Sequence, residues 1–290
     1  MYLSQIDTVE KINKKVFLEK YYKPQKPVLI KNLAKTWDAY DKWNLDYIAQ
    51  KAGDQSVDLY DNKPADPNKA SDKPVARMKM REYIDLIKRE PSDLRIFFFI
   101  ITDKIPELLK NFSYPDLGFK YFKRIPTLFF GGSEARVLMH YDVDLADLLH
   151  FQFEGRKRVL LFPKDQGVYL YKVPLSVHTV YNLNYETPDV KLFPALKYAS
   201  GFEIYMEPGD ALFMPGGYWH FNRYLEPGFS MSLRSFPNSP RRLLNMLKEV
   251  FVIRYTDKIL RKLFKQRWVN YKQRRAFVKS NKALEKKIND

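Results

Sequence analysis

His140 and Asp142 stand two positions apart, and His220 follows eighty residues later in a chain that holds only four histidines. Side chains two apart on an extended strand point to one face, so His140 and Asp142 offer an imidazole and a carboxylate together. A second imidazole, His220 delivered from a neighbouring strand, completes a 2-His-1-carboxylate set. That set leaves three metal positions open, the arrangement of non-heme Fe(II) oxygenases. A closed structural zinc site would want a fourth ligand. Bare H-x-D spacing is a weak signal, so its weight depends on the elements that carry it.

Those elements read as follows. Pro27–Lys31 is a short strand, and Asn44 caps a helix that starts near Leu45. Val57–Tyr60 alternates as a strand, Asp61–Pro74 is a proline-rich surface loop, and Met78–Lys88 has helical spacing at Met80, Tyr83, Ile84 and Ile87. From Arg95 onward strands dominate: Ile96–Ile101, Thr127–Phe130 before Gly131-Gly132, Arg136–Tyr141, Arg158–Pro163, Ala211–Pro215 and Phe229–Arg234. Short strands separated by Gly and Pro turns predict a sandwich or jelly-roll barrel. Pro237–Pro240 is a break, and the chain beyond it reads as helix with apolar residues at Leu260, Leu263, Phe264, Trp268, Tyr271 and Val278. Lys157 opens one of these strands, where its ammonium can enter the barrel and pair with a carboxylate. His150 and His178 read as structural, with His150 near the pocket mouth, and Asp210 after Gly209 reads as a turn residue.

Composition narrows the classes further. With no cysteine the chain has no disulfide, no thiolate metal site and no cysteine nucleophile. No run of apolar residues is long enough for a transmembrane helix, and the N-terminus lacks a secretory pattern, so the expected location is cytoplasmic. The net charge of +16 is uneven: residues 241–290 carry 16 Lys+Arg against 4 Asp+Glu, leaving the rest nearly neutral. Arguments about anionic partners therefore start at the tail.

The segments HYD (140–142), EGRKRVLLFP (154–163), GDALFMP (209–215) and the Trp219-His220 pair, with KPVLIKNLAKTW (26–37) and KWNLDYI (42–48) before them, resemble the JmjC/cupin-like family of Fe(II)- and 2-oxoglutarate-dependent oxygenases. The likeness covers roughly residues 20–236. Within the family it is similar to the asparaginyl hydroxylase that inhibits hypoxia-inducible factor and to the tRNA wybutosine hydroxylase. The resemblance implies a mainly β fold with α elements, a double-stranded β-helix of the jelly-roll type. It implies His140, Asp142 and His220 as ligands of Fe(II), with 2-oxoglutarate and O2 as cosubstrates and Lys157 on the distal carboxylate of 2-oxoglutarate. Arg234 falls near a family asparagine, at a spacing where other such oxygenases place a carboxylate-binding arginine; Lys157 has the better context. Three departures stand out: Val137 and Phe97 occupy positions where the asparaginyl hydroxylase has threonine and tyrosine, and the segment from Asp142 to Gly155 is two residues longer. A further family asparagine falls near Asp147 or Leu148.

Three regions are expected: an N-terminal α/β lead-in (1–90) packed on the barrel, the double-stranded β-helix (91–236) and a basic helical extension (237–290). The expected activity is hydroxylation of a side chain on a protein. The alternatives are an RNA (tRNA) nucleoside hydroxylase and a non-catalytic metal-binding module. The resemblance implies a homodimer through the C-terminal helices. Arg261, Lys262, Lys265, Arg267, Lys272, Arg274 and Arg275, interleaved with Phe264, Trp268 and Tyr271, are the candidate contacts to a nucleic-acid backbone or an anionic membrane surface.

Overall fold

The computed structural model describes residues 1–63, 73–237 and 239–289. Most of the expected loop after Asp61, and Asn238 in the expected break, lie outside the described residues. The strands are β1 (Tyr2–Gln5), β2 (Thr8–Val9), β3 (Val28–Ile30), β4 (Ser56–Leu59), β5 (Ala76–Lys79), β6 (Arg95–Ile100), β7 (Thr127–Gly131), β8 (Arg136–His140), β9 (Asp147–Glu154), β10 (Lys157–Phe162), β11 (Ser200–Met206), β12 (Ala211–Met214), β13 (Trp219–Tyr224) and β14 (Gly228–Ser235). The helices are α1 (Lys14–Phe17), α2 (Asp38–Lys42), α3 (Leu45–Ala52), α4 (Met80–Arg89), α5 (Ile101–Lys104), α6 (Pro240–Leu247) and α7 (Arg254–Asn289).

From β7 onward the chain passes back and forth between two facing sheets, with β10 and β11 the one consecutive pair that shares a sheet. One sheet runs β12-β9-β14-β7 and the other β11-β10-β13-β8, which is a double-stranded β-helix. The lead-in is woven into both: β1 pairs parallel with β11, β3 pairs with β12, and β6 pairs with β7 at the far edge. Lys31 fastens this junction by an ion pair of 2.6 Å with the buried turn residue Asp210.

Three apolar clusters divide the molecule. The outer face of the first sheet, with Leu149, Phe151, Phe213, Phe229 and Met231, packs under the N-terminal helices. The outer face of the second, with Met139, Tyr141, Phe162, Trp219 and Phe221, is covered by the 165–199 connection and the C-terminal helix. Between the sheets, Leu148, Val159, Leu161, Ile204, Leu212 and Met214 fill one part of the barrel. The rest of the interior is polar, holding Lys157, His150, Gln152, Ser230, Ser232 and Arg234, all buried. This polar half is where a ligand can be held. Gly155 makes the turn into β10 at φ 70, with space for no Cβ because Pro227 O would lie at 2.5 Å. The turn sets Lys157 as the first residue of its strand, facing inward.

Candidate metal centre

β8 and β13 are antiparallel neighbours, and His140 pairs directly with His220. Their rings lie 4.2 Å apart between centroids. His140 Nδ1 bonds Leu138 O at 2.8 Å and His220 Nδ1 bonds Tyr218 O at 3.2 Å. These carbonyls accept only from a protonated Nδ1, which leaves Nε2 of each ring with a free lone pair, the tautomer that a metal ligand needs. Asp142 Oδ1 stands 3.7 Å from His140 Nε2, and the donor atoms of all three residues lie within 4.8 Å of one another. This donor set, two imidazoles and one carboxylate converging on a partly open face, fits Fe(II).

Asp142 does not reach that position by strand alternation. β8 ends at His140, and Asp142 stands in the turn beyond it. Arg234 holds it there: the guanidinium, 3% exposed, bonds Asp142 Oδ2 at 3.1 Å and Asp144 Oδ2 at 3.0 Å. Burial works to raise the Asp142 pKa, but Arg234 and the two imidazoles outweigh it and the net shift is downward. The ligand is thus an anion at neutral pH. Burial, reinforced by His140, pushes His220 down to about 4, so its imidazole is neutral. Arg234, weighed above as a cosubstrate anchor, pairs with these two carboxylates through one nitrogen, while its buried Nε has no partner.

Deeper in the barrel, Lys157 is 1% exposed. Its Nζ donates to Ser230 Oγ at 2.6 Å, approaches His150 Nε2 at 3.2 Å and lies 4.3 Å from the centre of the Tyr224 ring. Among the described residues it forms no ion pair, and burial alone pushes its pKa down to about 7. His150 Nδ1 in turn hydrogen-bonds with Ser232 Oγ at 2.7 Å, and burial with the nearby Lys157 holds its ring neutral. Ser230, Ser232 and Arg234 alternate along β14, so one strand face touches both Lys157 and the metal-side carboxylates. A buried ammonium with one hydroxyl partner and no acid has the chemistry to take an external carboxylate. Asn222, two residues beyond His220 on the same face, has a buried Oδ1 without a partner, as does Gln152 Oε1. Both point to polar contents in this half of the barrel. A small cavity of about 10 Å³ lies beside Asp142 and His220, lined also by Ala146, Leu148, Met214 and Tyr218.

Neither Val137 nor Phe97 brings a hydroxyl to this pocket; the hydroxyls beside Lys157 and His150 are those of Ser230 and Ser232 on β14. Val137 pairs with Asn222. Phe97 stays at the rim, 37% exposed and packed on Tyr60 at 4.3 Å. The register of β6 breaks between Ile96 and Phe99, and Phe98, at φ 60, lies over Arg234 at 5.2 Å. Ser230 and Ser232 escaped the sequence reading because serines in an alternating strand carry no signal until pairing places them against Lys157 and His150. His178 forms a bridge with His140, and burial pushes it down to about 4. Asp147 is fully buried and pairs with Arg242 of α6 at 2.6 Å.

The tail differs from expectation in two ways. Lys272 is not a surface contact: it is 2% exposed and pairs with Asp257 at 2.5 Å. Arg261 shares that aspartate at 3.3 Å. Lys265, at φ 44, interrupts α7, and the residues that pack on the barrel side are Val269, Ala276 and Ser280. Leu263, Phe264, Tyr271 and Val278 face outward, between 42% and 66% exposed. Lys262, Lys265, Arg267, Arg274 and Arg275 are exposed. Among the described residues, no helix is long and apolar enough to cross a membrane.

A family model described as a cupin-like domain matches residues 13–233. Lysine-specific demethylase JMJ21 of Arabidopsis thaliana is 29% identical over 72% of this chain and 23% of its own length. Lysine-specific demethylase 8 of Xenopus tropicalis is 27% identical over 74% of this chain and 49% of its own. The chain thus spans half or less of these two relatives. tRNA wybutosine-synthesizing protein 5 of Danio rerio is 25% identical over 77% of this chain and 72% of its own length. Barrel, ligand set and family match agree, and the chain belongs to the cupin-like, JmjC-type domain family, whose members use Fe(II) and 2-oxoglutarate.

Proposed function

We propose that this protein is an Fe(II)- and 2-oxoglutarate-dependent oxygenase that hydroxylates a side chain of a protein substrate. The observation that carries the reading is the pairing of two features in one barrel. His140, Asp142 and His220 present three converging donors, and Lys157 waits deeper inside as a buried ammonium without an acid. Bound Fe(II), with 2-oxoglutarate and O2 as cosubstrates, supplies the oxidising power to hydroxylate an unactivated C–H bond. The chain's own part is to bind, orient and exclude water. Lys157 and Ser230 take the distal carboxylate, and Arg234 fixes Asp142 as an anion facing both imidazoles. Val159, Leu161, Leu212 and Met214 keep the neighbouring interior dry. That the relatives include two proteins named as lysine-specific demethylases favours a protein substrate.

The test is succinate formation from 2-oxoglutarate in the presence of Fe(II). It should vanish in His140→Ala and fall sharply in Lys157→Ala. No metal-dependent succinate with any protein or RNA extract would leave the reading of a non-catalytic metal-binding module. A second reading, hydroxylation of an RNA nucleoside, is favoured by the exposed cations Lys262, Lys265, Arg267, Arg274 and Arg275 and by the likeness to the tRNA relative over most of both chains. The C-terminal helices are assigned to a homodimer. Leu244, Leu247, Phe251, Tyr255, Ile259 and Leu263 recur every three or four residues and are each at least 39% exposed, a stripe suited to the same stripe of a second copy.

A further inference from the structure

Glu249 is the one residue of the turn Lys248–Ile253 that is buried, at 8% exposure, while Phe251 and Val252 beside it stand in the open. That turn is π-helical, set between α6 and α7, and such insertions are frequent at functional sites. The buried carboxylate meets Tyr141, the residue between two of the metal-site side chains: Tyr141 Oη donates to Glu249 Oε2 at 3.1 Å. Lys172 Nζ donates to the same hydroxyl at 3.0 Å and lies 4.7 Å from the centre of the Tyr141 ring. The ring, 1% exposed, stands edge-on to Trp219 at 4.8 Å, and Trp219 precedes His220. The carboxylate therefore closes a chain of contacts that reaches the neighbours of all three donors.

The backbone needs that support. β8 stops at His140, so the ladder with β13 does not hold Asp142. The Tyr141 amide bonds Val177 O at 3.2 Å, in a connection outside the barrel sheets. Within the turn, the Leu145 amide donates to Asp142 O at 3.0 Å and the Ala146 amide to Asp144 Oδ1 at 3.2 Å; its ties to the rest of the protein include the Tyr141 side chain and the Arg234 ion pairs with Asp142 and Asp144.

We infer that Glu249, supplied by the C-terminal extension, is a positioning residue of the metal centre that acts through Tyr141 on the spacing of His140 and Asp142. Glu249 lies beyond residues 13–233, the part matched by the family model, so this device belongs to the extension and not to the shared barrel. The inference rests on the metal reading given above. Outer-shell partners of metal ligands change metal affinity by about 10- to 100-fold when removed, which sets the effect to look for.

The test is Co(II) affinity of the full-length protein, by chelator competition, together with the Co(II) absorption spectrum. Glu249→Leu and Tyr141→Phe should each weaken Co(II) binding on the order of tenfold or more and alter the spectrum, and their combination should add little. Glu249→Gln keeps an oxygen acceptor for the Tyr141 hydroxyl and should bind within about threefold of the parent, a spread within ordinary context dependence. A merely structural role would lower the unfolding midpoint without moving affinity in protein kept folded below it. Parent-like affinity and spectrum in folded Glu249→Leu overturn the inference. Should Glu249→Leu fail to fold, parent-like affinity in Tyr141→Phe overturns it equally. His140→Ala separates the two levels: if that variant still binds Co(II) like the parent, the metal reading itself has failed.

Discussion

Replacing Lys157 by methionine should make the ligand-free protein more stable. The lysine is fully buried, and burial lowers its pKa from 10.5 to about 7. At about 1.4 kcal/mol per pH unit, that drop corresponds to a folding penalty of about 5 kcal/mol at most. Its sign and window follow from linkage. The folded state binds this proton less tightly than the unfolded chain does. The penalty is therefore complete below pH 7 and relaxes as the pH rises from about 7 towards 10.5. Methionine matches the stem of lysine in length and carries no charge. It also forfeits the bond to Ser230, which is worth about 1–2 kcal/mol. The net gain expected at pH 6.5 is about 2–4 kcal/mol. Urea unfolding in the presence of a chelator, at pH 6.5 and 9.5, measures it. The parent and the variant should differ most at the lower pH and converge at the higher. 2-Oxoglutarate with Zn(II) in place of iron should narrow or cancel that difference. A ligand at 100 times its Kd adds about 2.7 kcal/mol, and only the parent can bind it through this ammonium. A variant less stable than the parent at pH 6.5, or a gap that ignores pH, would refute the assignment of Lys157 as an unpaired buried cation.

Three further outcomes are expected. Arg234→Met leaves the partly buried carboxylates of Asp142 and Asp144 without their cation and should cost about 1–3 kcal/mol, read from urea midpoints in metal-free buffer; no measurable loss speaks against its clamping role. Charge introduced into the exposed stripe, as Leu247→Arg with Phe251→Arg, should convert a dimer to a monomer by light scattering; a parent already monomeric sinks the dimer assignment. If RNA is bound through the tail, Arg274→Glu with Arg275→Glu should lower the slope of log affinity on log salt by about 0.7 per lost contact on a single strand. Lys272→Met should leave that slope unchanged, because its ammonium is already spent on Asp257.

What could be read from the sequence divides along physical lines. His140, His220 and Lys157 were legible because each sits at an element boundary with a recognisable flank, and the strands those flanks announce do form and pair. β9 was not announced: all but the last of its residues are buried, since it lies between the sheets on one side and under the N-terminal helices on the other. A strand covered on both faces shows no alternation. Asp142 was placed correctly in the cluster for the wrong reason. Two-residue spacing suggests strand alternation, whereas the structure uses a turn and the Arg234 ion pairs.

The same distinction explains the tail. Helical periodicity assumes one continuous screw, and Lys265 breaks it. Beyond the break the helix turns Val269, Ala276 and Ser280 inward and carries Lys272 to Asp257, so a cation counted as surface becomes an interior one. Ser230 and Ser232 are the converse case, plain residues promoted by register. Neither stands out in the sequence, yet β14 sets their hydroxyls against Lys157 and His150. A pocket that had seemed short of hydroxyls by two substitutions holds two from another strand. Residue-by-residue comparison with a family pattern therefore underestimates such a site: what a carboxylate requires is donors at the right positions, and the barrel can supply them from any strand that faces inward.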